Sequence, residues 1–367
     1  MKKELTIENL GWDAFFESNR KKLGLDAFQV ARVIAEMRGA YKVKNTAGEY
    51  LAKITGKQIF DAKSREDYPA VGDWVAIAET DGQQAVIRGI LPRKTMIKRK
   101  YGDKNKTGEK DATQIIATNI DVAFAVESVG RDYNLNRLER YFAIARSGGI
   151  RPAAILNKTD LIPKKELDSL LAEIKGRFKN VDVIPASALA DGGMDELKEY
   201  IEKEKTYCFL GSSGVGKSTL INKLLGEGEI RTGKIGLRSG RGKHTTTARE
   251  MHFLPQGGIV IDNPGVREVG MTDAGAGVDD IFGEITSLAR DCKYVDCTHV
   301  HEPGCAVLGA VKAGRLDRGK YANYISLKKE AEHFEMTGHE KKEKNRQFGK
   351  FIQKAKKELR DAGHKDF

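Results

Sequence analysis

Cysteine is scarce in this sequence and unevenly placed. Four occur in 367 residues; Cys292, Cys297 and Cys305 share one short stretch and Cys208 stands apart. A disulfide framework spreads an even number of cysteines along a small secreted chain, so this clustering argues for metal binding in a reducing compartment. Long apolar runs are missing too. No stretch of about 18 apolar residues exists, which excludes a spanning helix. Lys2 and Lys3 have no apolar segment behind them, so no secretory signal is expected and the chain reads as cytoplasmic. Repeats and low-complexity tracts are absent. Acidic residues are in deficit, 52 against 63 basic ones, for a net charge of +11. That excess favours a polyanionic partner, either nucleic acid or an anionic membrane surface.

With 40% hydrophobic residues the chain can bury a core, and its length suits two or three domains. Residues 1–39 form an extension in which Phe15, Phe16, Phe28, Val30, Val33 and Ile34 recur at helical spacing, predicting a helix or two. Residues 40–112 hold short runs such as Tyr41-Lys42-Val43 and Asp73-Trp74-Val75-Ala76-Ile77, broken by glycine and polar turns, and predict a small β-barrel. Its end, 93–110, carries eight Lys/Arg, two acids and Tyr101: a strip for a nucleic-acid backbone or a solvated charged loop. Between 113 and 273, strand-like runs (119–126, 153–156, 181–184, 207–210, 259–261) alternate with helical patterns such as 135–145, predicting a parallel α/β sheet. Residues 274–335 are rich in cysteine and glycine, then helical. The tail, 336–367, is strongly basic, with nine Lys/Arg and two acids between 341 and 360.

Gly211-Ser212-Ser213-Gly214-Val215-Gly216-Lys217-Ser218-Thr219 fits a phosphate-binding loop, with an apolar strand before it and a helix after it. Glycines let backbone N–H groups close on phosphate, and the helix N-terminus adds a favourable dipole. Lys217 is expected to reach the β- and γ-phosphates and Ser218 to bind Mg²⁺. The loop does not specify the base. Asn157-Lys158-Thr159-Asp160, at a strand end, resembles the guanine-specificity motif of GTPases, whose aspartate accepts hydrogen bonds from N1 and N2 of guanine, which adenine cannot supply. Ser187-Ala188 resembles the motif supporting the guanine from its other side. Asp262-Asn263-Pro264-Gly265 resembles D-x-x-G, with Asp262 holding Mg²⁺ through water and the Gly265 amide meeting the γ-phosphate. The segment Gly240-Arg241-Gly242-Lys243-His244-Thr245-Thr246-Thr247 resembles the first switch, where Thr246 is the threonine expected to sense Mg²⁺ and γ-phosphate. The guanine motifs precede the phosphate loop, the reverse of the ordinary order. The second switch therefore runs directly into the cysteine-rich region.

Cys292, Cys297, His299 and Cys305, spaced C-x₄-C-x-H-x₅-C, satisfy tetrahedral Zn²⁺ with no open position, which implies a structural ion. His301 is the competing imidazole, and Cys208 reads as a small buried side chain.

Together these motifs resemble the RsgA/YjeQ family of circularly permuted GTPases, over roughly residues 40–335; Ala70-Val71-Gly72-Asp73-Trp74-Val75 also looks like that family's N-terminal barrel. The resemblance implies a multidomain α/β protein: an OB-type barrel, a permuted P-loop GTPase domain and a zinc-binding helical domain. It implies GTP/GDP, Mg²⁺ and one Zn²⁺ as ligands. It also implies a role in late maturation of the small (30S) ribosomal subunit, on its 16S rRNA, with subunit-stimulated hydrolysis by a protein expected to be monomeric and not membrane-bound. The residue after D-x-x-G is Val266, which cannot orient water, so intrinsic turnover is expected to be slow, with His244 the candidate to position the attacking water. Asn263 stands where the family often has Thr or Ser. A GTP-gated binding module without functional hydrolysis, a GTPase acting on another RNA, and an ATP-dependent kinase are the rivals; the Asn157 quartet argues against the last.

Overall fold

A computed structural model of the protein describes residues 5–101, 112–130, 133–226, 249–262 and 274–336, together with 340, 343 and 346. A short 3-10 turn (Glu8–Leu10) precedes α1 (Ala14–Lys22), capped by Asp13, whose side chain accepts from the Phe15 N–H at 3.0 Å. Five strands follow: β1 (Gln29–Met37), β2 (Ala40–Lys44), β3 (Glu49–Ile54), β4 (Trp74–Thr80) and β5 (Gln84–Ile90), with the short α2 (Gly56–Asp61) between β3 and β4. They pair in the order β1-β2-β3-β5-β4, and β4 pairs back on β1, closing a barrel with β3 and β5 parallel. This is the small OB-type barrel. Its interior is filled by Ala31, Val33, Val43, Ala52, Val75, Ile77 and Ile87, all fully or nearly fully buried.

The helical pattern expected through Ile34 is corrected here: α1 is a helix, but β1, upstream of residue 40, is a barrel strand. Residues 30–35 of β1 are buried on both faces, one against the barrel interior and one against Leu10, Trp12, Phe16 and Trp74. A strand covered on both sides shows a nearly continuous apolar run, which periodicity cannot separate from a helix.

The hairpin β6 (Met96–Tyr101) and β7 (Ala112–Thr118) leads out of the barrel. The strand expected at 119–126 is β8 (Val122–Ser128), which begins three residues later: Asn119, with positive φ (53°), lies in the turn between β7 and β8. The α/β unit then contains α3 (Leu135–Ser147), β9 (Arg151–Asn157), α4 (Lys164–Arg177), β10 (Asp182–Pro185), α5 (Asp195–Tyr200), β11 (Thr206–Leu210), α6 (Lys217–Leu225), β12 (Glu250–Phe253) and β13 (Ile259–Asp262). Its strands lie in the order β10-β9-β8-β11-β13-β12, parallel except for β12. β12 also pairs with β1 through Ala35 and Glu250, so one sheet runs from the α/β unit into the barrel.

The C-terminal region is helical: α7 (Gly275–Ile281), α8 (Gly283–Ala289), α9 (Ala306–Lys312) and α10 (Arg318–Glu335). α7 lies so close to α3 that a Cβ on Gly277 would sit 2.1 Å from the Ala143 carbonyl oxygen. α10 is tied to α3 by Asn323, which donates to buried Glu139, itself paired with Arg177 at 2.7 Å.

Candidate functional site

β11 feeds straight into the Gly211–Ser218 loop, and α6 starts at Lys217. Gly211, Gly214 and Gly216 have φ of 156°, 86° and 100°, which glycine alone adopts without strain. At Gly216 space matters as well: an added Cβ would lie 2.3 Å from Asn157 Nδ2. Lys217 Nζ donates to the carbonyls of Gly211 and Ser212, both at 2.7 Å, so the ammonium lies over the loop.

The Asn157 quartet sits at the C-terminal end of β9. Asn157 Nδ2 donates to Val215 O and Lys158 Nζ donates to Gly214 O, each at 2.7 Å, so both side chains reach across to the loop. Asn157 Oδ1 is buried with no hydrogen-bond partner among the described residues, an acceptor available to a donor on a ligand. Lys158 holds φ of 62°, and from that turn the Thr159 N–H and hydroxyl both donate to Ala186 O at 3.2 Å. The Ser187 hydroxyl donates to Asp160 Oδ1 at 2.5 Å and accepts from the Leu189 and Ala190 N–H groups. Ser187-Ala188 thus orients the aspartate expected to read the base.

Asp262 ends β13, next to β11 in the sheet. Burial holds its carboxyl above the usual range, while His252 and Lys217 pull it back down. A cation beside it would favour the charged form in the same way. The expected Gly265, His244 and Thr246 lie outside the described residues.

The metal cluster is brought together by the loop before α9. One ligand atom each from Cys292, Cys297, His299 and Cys305 lies within 4.8 Å of all the others. Tetrahedral Zn²⁺ with Zn–S of about 2.3 Å and Zn–N of about 2.0 Å gives edges of about 3.8 Å between sulfurs and about 3.5 Å between sulfur and nitrogen. The Cys292–Cys305 separation is 3.8 Å, and both sulfurs are 3.5 Å from His299 Nδ1. His299, with φ of 62°, is buried and its carbonyl accepts from Tyr321 Oη at 2.8 Å, whereas His301 is exposed and outside the cluster. Cys305 also caps α9, accepting from the Leu308 N–H at 3.4 Å. Cys208 is fully buried in β11, and desolvation pushes its thiol well up.

The model of the RsgA GTPase family matches residues 90–272. The Small ribosomal subunit biogenesis GTPase RsgA of Opitutus terrae is 39% identical, over 89% of this chain and 90% of its own. The chain belongs to the RsgA family. Like other RsgA proteins it is a P-loop GTPase. RsgA 2 of Vibrio vulnificus is 36% identical over 97% of both chains. The crystal structure of YjeQ from Thermotoga maritima superposes with a TM-score of 0.62 at 25% identity, covering 82% of this chain and 98% of that one. YloQ, a circularly permuted GTPase, shares the fold, with a TM-score of 0.57 at 22% identity. The ABC transporter model matches residues 194–357, a span that includes the phosphate-binding loop common to P-loop NTPases. No helix among the described residues is long and apolar enough to cross a membrane.

The motif reading of this RsgA protein missed Arg32, which is fully buried. It donates to Leu10 O at 2.5 Å, Thr206 Oγ1 at 2.9 Å, Asn119 O at 3.1 Å and Gly72 O at 3.4 Å, joining the N-terminal segment, the barrel and the GTPase sheet. A charge inside the apolar run Val30–Ala35 was the available signal, hidden by the helical reading.

Proposed function

We propose that the chain binds GTP and Mg²⁺ in the pocket between β8, β9 and β11 and acts in late maturation of the small ribosomal subunit, on its 16S rRNA. The names of its relatives support the ribosomal part of this reading. The observation that carries the nucleotide part is the pair of hydrogen bonds from Asn157 and Lys158 to Val215 and Gly214, with Ser187 bound to Asp160: three motifs far apart in the chain meet at one pocket.

In this reading Asp160 accepts from N1–H and N2–H of guanine, with Ala188 beside the base. The loop amides from Ser212 to Thr219, with Lys217, hold the phosphates. Ser218, Thr246 and, through water, Asp262 hold Mg²⁺, which when bound neutralises charge developing on the β- and γ-phosphate oxygens. Gly265 donates its N–H to the γ-phosphate. Water attacks the γ-phosphorus as the bond to the β-bridging oxygen breaks, giving GDP and phosphate. His244 orients that water. Cys292, Cys297, His299 and Cys305 hold one structural Zn²⁺. The basic stretches 93–110 and 341–360 contact RNA phosphates, which makes binding fall steeply with salt.

The test is the GTPase rate with and without purified small subunits. Slow turnover that rises sharply on adding subunits is expected. A rate indifferent to subunits, or no preference for guanosine over adenosine nucleotides, contradicts the proposal. An unchanged subunit-stimulated kcat in His244→Ala removes that residue from the chemistry.

A further inference from the structure

A second cavity, of ≈ 330 Å³, lies away from the nucleotide pocket, between the barrel and the β6–β7 hairpin. Its volume falls at the low end for small-ligand sites. Tyr41 and Tyr68 line it, with Glu36 and Gln114 as polar groups. Tyr41 is buried, and its hydroxyl, held protonated by burial and by Glu36 and Tyr68, is pushed up to about 12. No ring contact joins Tyr41 to Tyr68 among the described residues, so stacking does not close the cavity.

Arginines lie beside it. Arg249, the residue before β12, lies against two of the lining residues from the GTPase sheet: Nη1 donates to Ile115 O at 3.4 Å and lies 3.6 Å from Glu36 Oε2. Arg99 donates to Gln114 Oε1 at 3.2 and 3.0 Å, which turns the Gln114 amide into a donor. Burial lowers the basicity of Arg249, and repulsion from the Arg99 guanidinium adds to that. Lys98 is paired with Glu66 at 2.8 Å, and Arg65 lines the rim. Among the described residues Glu36 is the carboxylate paired with Arg249.

Aromatic faces, one carboxylate to accept from base amino groups, one amide to donate, and clustered arginines are what an unstacked nucleotide requires. We propose that this cavity holds one nucleotide of a single-stranded RNA, its base beside Tyr41 and Tyr68 and its phosphate on Arg249 and Arg99. The site rests on the reading of RNA as the partner, and it specifies where and how one residue of that RNA is gripped. Because Arg249 lies just after the threonine run and just before β12, the grip falls on the segment that connects the expected first switch to the sheet.

Fluorescein-labelled octamers of A, C and U, titrated into the full-length protein and followed by anisotropy, test this. At least one octamer is expected to bind. Tyr68→Leu is expected to weaken it about tenfold, since a stacked base is worth that much, Gln114→Ala about fivefold through the lost hydrogen bond, and Tyr68→Phe to retain it. Arg249→Ala should weaken all octamers alike and reduce the salt slope by about one. GTP affinity of Tyr68→Leu, expected to match the parent, controls for folding. Failure of all octamers to bind, or equal binding by Tyr68→Leu and Gln114→Ala, overturns the site. Co-sedimentation of the unaltered protein with small subunits is read separately: if it pellets while the octamers fail, only the cavity proposal falls; if it does not pellet, the ribosomal reading falls whatever the octamers do.

Discussion

Among the described residues Asp160 is held by one strong contact, the 2.5 Å hydrogen bond from Ser187 to Oδ1, which leaves Oδ2 for a ligand. A carboxylate accepts from both N1–H and N2–H of guanine; an amide presents one acceptor and one donor edge. Asp160→Asn therefore places a donor against a donor, and a mismatched buried pair is costly. GTP affinity is expected to fall about 100-fold or more, while xanthosine triphosphate, which carries an acceptor where guanine carries N2, binds better than GTP. Competition of the two nucleotides against a fluorescent GDP measures this; retained GTP preference removes Asp160 from the base site. Gly216 makes a steric point instead. Alanine there meets a φ of 100° and a Cβ position 2.3 Å from Asn157 Nδ2. A left-handed non-glycine residue costs about 1–3 kcal/mol. Relief of the clash displaces the amide that bonds Val215. Gly216→Ala is expected to lose about that much stability in urea and more than tenfold in GTP affinity, whereas Gly214→Ala, whose Cβ meets open space, loses stability through φ alone.

At the scale of elements, the readable parts were those whose chemistry is local. The phosphate loop needs three glycines and a lysine at fixed spacing, and β11 and α6 flank it as the pattern required. The metal quartet was legible for the same reason, and the 3.8 and 3.5 Å separations follow from its spacing and turn. β1 was not legible, because burial on both faces erases alternation. The start of β8 was placed three residues early, since a left-handed asparagine before an apolar strand carries no glycine or proline marker. The cavity beside Arg249 is lined from β1, β2, the 65–70 segment and β7, far apart in sequence. The zinc module carries an elementary prediction. Cys305 both caps α9 and sits in the cluster, and His299 is tied to Tyr321 on α10. Cys297→Ala is therefore expected to release one zinc per chain to a chromogenic chelator and to lower the helical signal from α9 and α10. GTP affinity should stay within about twofold, because the nucleotide pocket is built on the other elements. A variant that retains its zinc and its helicity contradicts the assignment of Cys297 as a ligand.

For the whole molecule the decisive feature is the continuity of one sheet from β10 to the barrel, locked at a single buried cation. Arg32 spans the N-terminal segment through Leu10, the barrel through Gly72 and the GTPase sheet through Asn119 and Thr206. Burial lowers its basicity to about 10, and Asp121, Asp73 and Asp13 counter that, so it stays charged near neutral pH. Its planar fork suits several acceptors at once, which a lysine cannot reproduce. Arg32→Met keeps much of the volume and removes every donor, stranding buried oxygens on three structural units at a cost of about 3 kcal/mol. The barrel and the GTPase unit, joined otherwise by β1 with β12 and by the β7 connection, then lose their cooperative link. Calorimetry of the parent is expected to show these units melting together. Arg32→Met should split them into two transitions, of which GTP raises only the one belonging to the GTPase unit. Arg32→Lys should behave like Arg32→Met. A single transition in Arg32→Met, raised as a whole by GTP, would show that the sheet alone holds the two units together.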